Sequence, residues 1–192
     1  MSLDGLTVVV TGGAGFIGNE VTRQLLARGA HVSVIDNFVN GKSENLADLD
    51  AQRLSAARLD VRDLDRVAPL FGSANLVLHL ACLGVRHSLH APLENHEVNA
   101  TATLNLLELA RTSGVKRFVY VSTSEVYGTA RAAPMTEDHP TFPLTVYGGS
   151  KLAGERYTSA YWQTWKYPTT VVRPFNAFGP RSHHEGDSGE VI

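Results

Sequence analysis

The stretch Leu6-Thr7-Val8-Val9-Val10-Thr11-Gly12-Gly13-Ala14-Gly15-Phe16-Ile17-Gly18 decides how this chain folds. Its apolar, β-branched opening predicts a buried strand that closes at Thr11. Ile17, Val21 and Leu25 then recur on one face of a helix that stops at Gly29. Between strand and helix, Gly13, Gly15 and Gly18 satisfy G-x-G-x-x-G, while Gly12, Gly15 and Gly18 satisfy G-x-x-G-x-x-G. The absent side chains allow a tight turn and bring backbone close to a pyrophosphate, and the helix N-terminus presents free N–H groups and its positive dipole end. A glycine pattern alone is weak, but Asp36 closes the next strand 18 residues after Gly18. A carboxylate there accepts hydrogen bonds from ribose hydroxyls, so the stretch predicts a dinucleotide site. The charge of Asp36 repels a 2′-phosphate and no Arg immediately follows it, which favours NAD over NADP.

Outward from this stretch, short apolar runs alternate with segments of helical period. The runs are Leu6 to Thr11, His31 to Asp36, a weak Ala57 to Val61, Asn75 to Ala81, Arg117 to Thr123 and Thr169 to Pro174. Two longer helices are expected over Glu94 to Thr112, with Leu104, Leu107 and Ala110 on one side, and over Tyr147 to Lys166, ending before Pro168. This alternation predicts an α/β fold with a doubly wound parallel sheet. Pro134, Pro140 and Pro143 interrupt residues 128–146, which are expected to form a loop over the site. Residues 1–176 read as a dinucleotide-binding domain of the Rossmann type. Residues 177–192 read as the start of a substrate-binding region that is cut short.

The 192 residues, 43% hydrophobic, suffice for one domain with a substantial core. With 17 Lys+Arg against 19 Asp+Glu the net charge is -2, too little positive field for a nucleic acid backbone. The single cysteine, Cys82, allows no intramolecular disulfide and fits a reducing, cytoplasmic setting. Met1-Ser2-Leu3-Asp4 opens no signal peptide, and no apolar run approaches the ~18 residues of a membrane span.

Tyr147 and Lys151 form Y-x-x-x-K, one turn apart on one helix face. A phenol titrates at about 10, and an adjacent ammonium together with the positively charged nicotinamide is expected to favour its ionised form, making Tyr147 a base near neutral pH. The pair follows a strand that runs into Ser122-Thr123-Ser124-Glu125-Val126-Tyr127-Gly128, and strand C-termini are where α/β sheets place ligands.

In order, T-G-G-A-G-F-I-G, His79-Leu80-Ala81, Asn99, S-T-S-E-V-Y-G, Y-x-x-x-K and Arg173-Pro174-Phe175-Asn176 span nearly the whole chain. With these motifs the chain resembles the extended short-chain dehydrogenase/reductase family, and within it the NAD-dependent nucleotide-sugar epimerases and dehydratases. The resemblance implies that Thr123, Tyr147 and Lys151 are catalytic, with Thr123 bonded to the sugar 4-hydroxyl and Lys151 also holding the nicotinamide ribose. It implies cofactor contacts from Gly12, Gly15, Phe16, Ile17, Gly18, Asp36, Asn37, Leu80, Ala81 and Pro174, with Asp60 and Val61 flanking the adenine. Ser124, Asn176 and Arg181 are expected to reach the nucleotide-sugar substrate.

The first step the resemblance implies is loss of the C4 hydroxyl proton to Tyr147 with hydride transfer from C4 to NAD, giving a 4-keto sugar and NADH. Glu125 then matters. In the family's 4,6-dehydratases a Glu at this position removes the C5 proton, acidified by the ketone, and uronic acid decarboxylases also read T-S-E. These similarities favour a dehydratase or decarboxylase. Ser124, where dTDP-glucose dehydratases carry an Asp, and Gly84-Val85-Arg86-His87-Ser88, which resembles a segment of UDP-uronate 4-epimerases, favour the alternative of a 4-epimerase. A net oxidoreductase and a non-catalytic NAD-binding module are the remaining alternatives.

His183-His184-Glu185-Gly186-Asp187 lacks the i, i+4 spacing of a zinc site, so no metal is expected. Cys82 reads as a small buried thiol. Tyr157, Tyr161 and Trp165 form a stripe that serves either the core or an interface. The resemblance implies a homodimer formed by pairing the two long helices into a four-helix bundle.

Overall fold

The computed structural model describes residues 2–182. Its strands are β1 (Thr7–Thr11), β2 (His31–Asp36), β3 (Leu54–Arg58), β4 (Leu76–His79), β5 (Arg117–Val121) and β6 (Thr169–Val172). The helices are α1 (Phe16–Ala27), α2 (Leu64–Val67), α3 (Val85–His90), α4 (Pro92–His96), α5 (Ala102–Thr112) and α6 (Val146–Trp165), with a π turn over Glu97–Thr101 joining α4 to α5. The strands form one six-stranded parallel sheet in the order β3-β2-β1-β4-β5-β6. This is the doubly wound Rossmann arrangement expected from the sequence. The chain leaves β1 in one direction for β2 and the other for β4, so a crevice opens at the β1/β4 switch point, beyond the strand C-termini.

Alternating residues of the inner strands feed two cores. Val8, Val10, Val32 and Val34 pack with Leu25 and Leu26 of α1 on one face. On the other, Val9, Val77, Phe118 and Tyr120 pack with Leu106, Leu107 and Ala110 of α5 and Tyr161 of α6. Burial on both faces explains why these strands read as continuous apolar runs. The weak third strand was misread: β3 runs Leu54–Arg58, three residues before the expected Ala57 to Val61. It is an edge strand with Ser55, Ala56 and Arg58 exposed, so hydrophobicity marks its buried exit at Leu59 and Val61 better than the strand itself.

The expected helix from Glu94 to Thr112 is present but begins at Pro92 and contains the π turn, and Leu104 is only half-buried while Leu106 lies in the core. The short α2 and α3 were not foreseen, because four and six residues carry too little periodicity to register. At α6, Thr145 caps the helix by accepting a hydrogen bond from Gly148 N–H at 2.9 Å, and Lys166 ends it in the left-handed region at φ 53°. No helix among the described residues is long and apolar enough to cross a membrane.

Candidate active site

The glycine turn is shaped for close backbone approach. Gly12 adopts φ +71°, and a Cβ there would sit 2.7 Å from Ala81 N, while a Cβ on Gly18 would collide with the Gly12 carbonyl oxygen. Phe16 opens α1 with its backbone N–H end toward the crevice. Asp36 is buried and anchored, accepting hydrogen bonds from Ala14 N–H at 3.0 Å and Phe38 N–H at 2.8 Å. A cleft of about 660 Å³ extends from this cradle to the end of β6, within the roughly 300–1,000 Å³ common for small-molecule sites. Side-chain-free glycines beneath a helix N-terminus, with an acidic strand end beside them, fit a dinucleotide. Gly12, Gly15, Phe16 and Gly18 would hold its pyrophosphate and Asp36 its adenosine ribose.

At the other end of the cleft stand Thr123, Glu125, Tyr147 and Lys151. Lys151 is 1% exposed, its ammonium donating to the Val121 carbonyl at 2.7 Å and lying 4.5 Å from the Tyr120 ring centroid. That bond explains how an ammonium is tolerated at such depth. Thr123 is buried, and its Oγ1 accepts from Glu125 N–H at 3.2 Å. The Tyr147 phenol is pushed above its ordinary value, chiefly by burial and next by the neighbouring Cys82, while Lys151 and the Thr123 hydroxyl pull it back. The sequence reading sets the ammonium and a positively charged nicotinamide together on the ionising side; of the chain's own groups, burial outweighs Lys151. Glu125 sits on the single turn Ser124–Val126, exposed to the cleft.

Behind these groups lies a buried polar chain whose donors can be followed. The Thr103 hydroxyl donates to the Asn99 carbonyl at 2.8 Å, so His79 Nε2–H donates to Thr103 Oγ1 at 3.0 Å and His79 Nδ1 accepts from the Thr11 hydroxyl at 2.6 Å. Thr11 Oγ1 in turn accepts from Ala81 N–H at 3.2 Å. This arrangement uses neutral His79, and burial, with a smaller push from Lys151, lowers its pKa to about 3. Asn99, in the π turn, donates to the Leu83 carbonyl at 2.9 Å and to Ser150 Oγ at 3.1 Å, and accepts from Leu83 N–H at 2.9 Å. It ties the Ala81–Gly84 cleft wall to α6 beside Lys151, a use of a π turn common near functional sites.

All but one of the expected catalytic, cofactor and substrate residues line this cleft. Arg181 is the exception: it pairs with Glu20 on the outer face of α1 at 3.1 Å and is not part of the lining. Residues 128–146 do not lie over the cleft either, since none of them lines it. Sequence reasoning missed Arg62, which holds the Asp60 carboxylate by two bonds at 2.9 and 2.8 Å and keeps its pKa down to about 2. Its signal was its place two residues after Asp60. His87 and Glu94, 3.0 Å apart, also line the cleft and carried no sequence signal as a pair. The segment 183–187 lies outside the described residues, and no group of metal ligands occurs among those described. In the aromatic stripe, Tyr161 is buried and donates to Glu108 at 3.0 Å, whereas Trp165 is 50% exposed beneath Arg111. The stripe therefore serves the core at Tyr161 and remains on the surface at Trp165.

The sequence matches the NAD dependent epimerase/dehydratase family over residues 8–192, and the chain belongs to that family. It is 34% identical over 190 residues to the UDP-glucose 4-epimerase of Mycolicibacterium smegmatis, covering 97% of this chain and 61% of that protein. UDP-glucuronic acid decarboxylase 1 of Arabidopsis thaliana is 36% identical, with 97% and 43% covered. Among solved structures, a UDP-N-acetylglucosamine 4-epimerase from Methanobrevibacter ruminantium superposes with a TM-score of 0.92 at 30% identity, covering 98% of this chain and 61% of that one. DesIV, a dTDP-glucose 4,6-dehydratase from Streptomyces venezuelae solved with NAD bound, gives 0.89 at 35% identity, with 94% and 59% covered. The chain thus spans about three fifths of the length of the epimerases it matches and less than half of that decarboxylase.

Proposed function

We propose that this chain is the NAD-binding and acid–base part of a nucleotide-sugar enzyme that works through a 4-keto intermediate. The observation that carries the reading is the single cleft shared by the glycine cradle and Asp36 at one end and Thr123, Tyr147 and Lys151 at the other. Bound NAD supplies a two-electron acceptor and donor for C4 of the sugar. Thr123 hydrogen-bonds the C4 hydroxyl and Tyr147 takes its proton. Lys151 lowers the cost of the phenolate and holds the nicotinamide ribose. Asn37, Asp60 and Val61 bound the adenine, and Ile17, Leu80, Ala81 and Pro174 complete the cofactor's walls. Ser124 and Asn176 face the sugar nucleotide, and Arg181 reaches it only if its Glu20 pair opens.

Glu125, exposed to the same cleft, can accept a C5 proton, which supports a 4,6-dehydratase; a uronic acid decarboxylase, where C5 loses carbon dioxide and not a proton, is supported by the T-S-E motif and the decarboxylases among the relatives. A second reading, 4-epimerase, is favoured by the epimerases among the relatives. Mass spectrometry of products from a panel of UDP-, dTDP- and GDP-sugars, run with the natural polypeptide that carries this chain, tests both. Loss of water or of carbon dioxide supports the first reading, an isomer of unchanged mass supports the second, and stoichiometric release of NADH sinks both in favour of a net oxidoreductase. The domain division is read as residues 1–176 for cofactor and catalysis, with substrate binding beginning at 177. In this reading the protein works in the cytoplasm, where Cys82 of this chain stays reduced, and as a homodimer joined through α5 and α6, whose surface includes half-exposed Trp162 and Trp165.

A further inference from the structure

The Arg173 guanidinium makes four hydrogen bonds to three segments. It donates to both oxygens of Glu155, at 2.8 and 2.7 Å, and to the Tyr127 hydroxyl at 2.9 Å and the Glu137 carbonyl at 3.0 Å. It also lies 4.7 Å from the Tyr127 ring centroid. Glu155 and Tyr127 are each 3% exposed. None of these four residues lines the cleft, yet each is joined to something that does or that borders it. Glu155 lies one turn after Lys151 on α6. Tyr127 follows the turn that carries Ser124 and Glu125. Arg173 itself precedes Pro174 and Asn176, and Glu137 belongs to the proline-bearing loop.

We propose that Arg173, through Glu155 and Tyr127, is a positioning residue that fixes the nicotinamide- and sugar-side walls of the cleft against the helix carrying Tyr147 and Lys151. A forked guanidinium suits this role because it bonds a carboxylate along two parallel lines and so sets angle as well as distance. The loop is held by the same hub: the Tyr127 ring meets His139 edge-on at 5.6 Å, and His139 Nε2 accepts from Arg131 N–H at 3.0 Å. The hub thus ties this loop to the turn that carries Glu125 and to the segment that carries Asn176. The inference rests on the reading that the cleft binds NAD.

The test compares NAD with ADP, which lacks both the nicotinamide and the ribose that Lys151 would hold, as ligands of this chain and of its variants Tyr127→Phe, Glu155→Gln and Arg173→Lys. Arg173→Ala strands a buried carboxylate and is expected to lose the fold, whereas Tyr127→Phe removes one hydroxyl and keeps the ring. The expected result is that NAD weakens by about ten-fold while ADP stays within about two-fold, so the advantage of NAD over ADP shrinks. Arg173→Lys, which keeps the charge without the fork, should fail to rescue that ratio. Equal losses for both ligands would mean a general structural role and overturn the proposal, as would an unchanged ratio in all three variants. An unaltered chain that binds neither ligand would remove the NAD reading itself, and the inference with it.

Discussion

At the scale of single residues, the motifs that need only a side-chain type at a fixed spacing were legible in the sequence. Gly12, Gly15 and Gly18, Asp36, Tyr147 and Lys151 all meet in one cleft as the spacing predicted. What the sequence could not give was the balance of opposing effects at a half-buried group, and Tyr147 shows this: Lys151 does pull its phenol down, but desolvation is the larger cause and the net direction is up. His79 offers a sharper check on burial. Its pKa falls from 6.5 to about 3 on folding, so between these values the unfolded chain takes up a proton that the fold refuses. Stability should therefore fall as pH falls from 6.5 toward 3, with a slope of about 1.4 kcal/mol per pH unit for one proton. Asp60 contributes with its own sign only lower, between 3.8 and about 2 as its ion pair is protonated away. Urea unfolding between about pH 4.5 and 6.5 should thus show a shallower slope in His79→Gln than in the unaltered chain; equal slopes would contradict the buried neutral imidazole.

At the scale of elements, strong periodicity gave β1, α1 and β2 nearly to the residue, because each buries an apolar face, whereas α6, whose buried face is mostly small and polar, was bounded by Y-x-x-x-K and Pro168. The misplaced β3 has a physical reason, since an edge strand with exposed residues lacks the signal that buried strands carry. The proline-rich loop was recognisable as a loop, but its course depends on Arg173 and Tyr127, distant partners that no local pattern reveals. The π turn depends likewise on Asn99 finding Leu83 and Ser150. The start of α6 is a local matter and can be tested as one. Thr145→Ala removes the cap on Gly148 N–H, two residues before Tyr147, and should cost about 1 kcal/mol in denaturant unfolding. No change in midpoint would show that the cap is idle.

At the scale of the whole molecule, the doubly wound sheet converts a sequence of motifs into a site, because every strand delivers its C-terminal residues to the same edge. The order of the motifs along the chain is their order across that edge only after the β1/β4 switch, which explains why Asp36 and Lys151, far apart in sequence, define the two ends of one cleft. The homodimer proposal belongs to this scale. Sedimentation velocity should report about twice the 20.8 kDa chain mass, and Trp162→Glu should shift it toward monomer; a monomer at high concentration would sink the proposal. The central claim, an NAD site built on the glycine cradle and Asp36, is tested most directly by calorimetric titration of the chain with NAD and with NADP. One NAD per chain, bound at least about ten-fold more tightly than NADP, is the predicted result; no NAD binding, or NADP bound equally well, would contradict it.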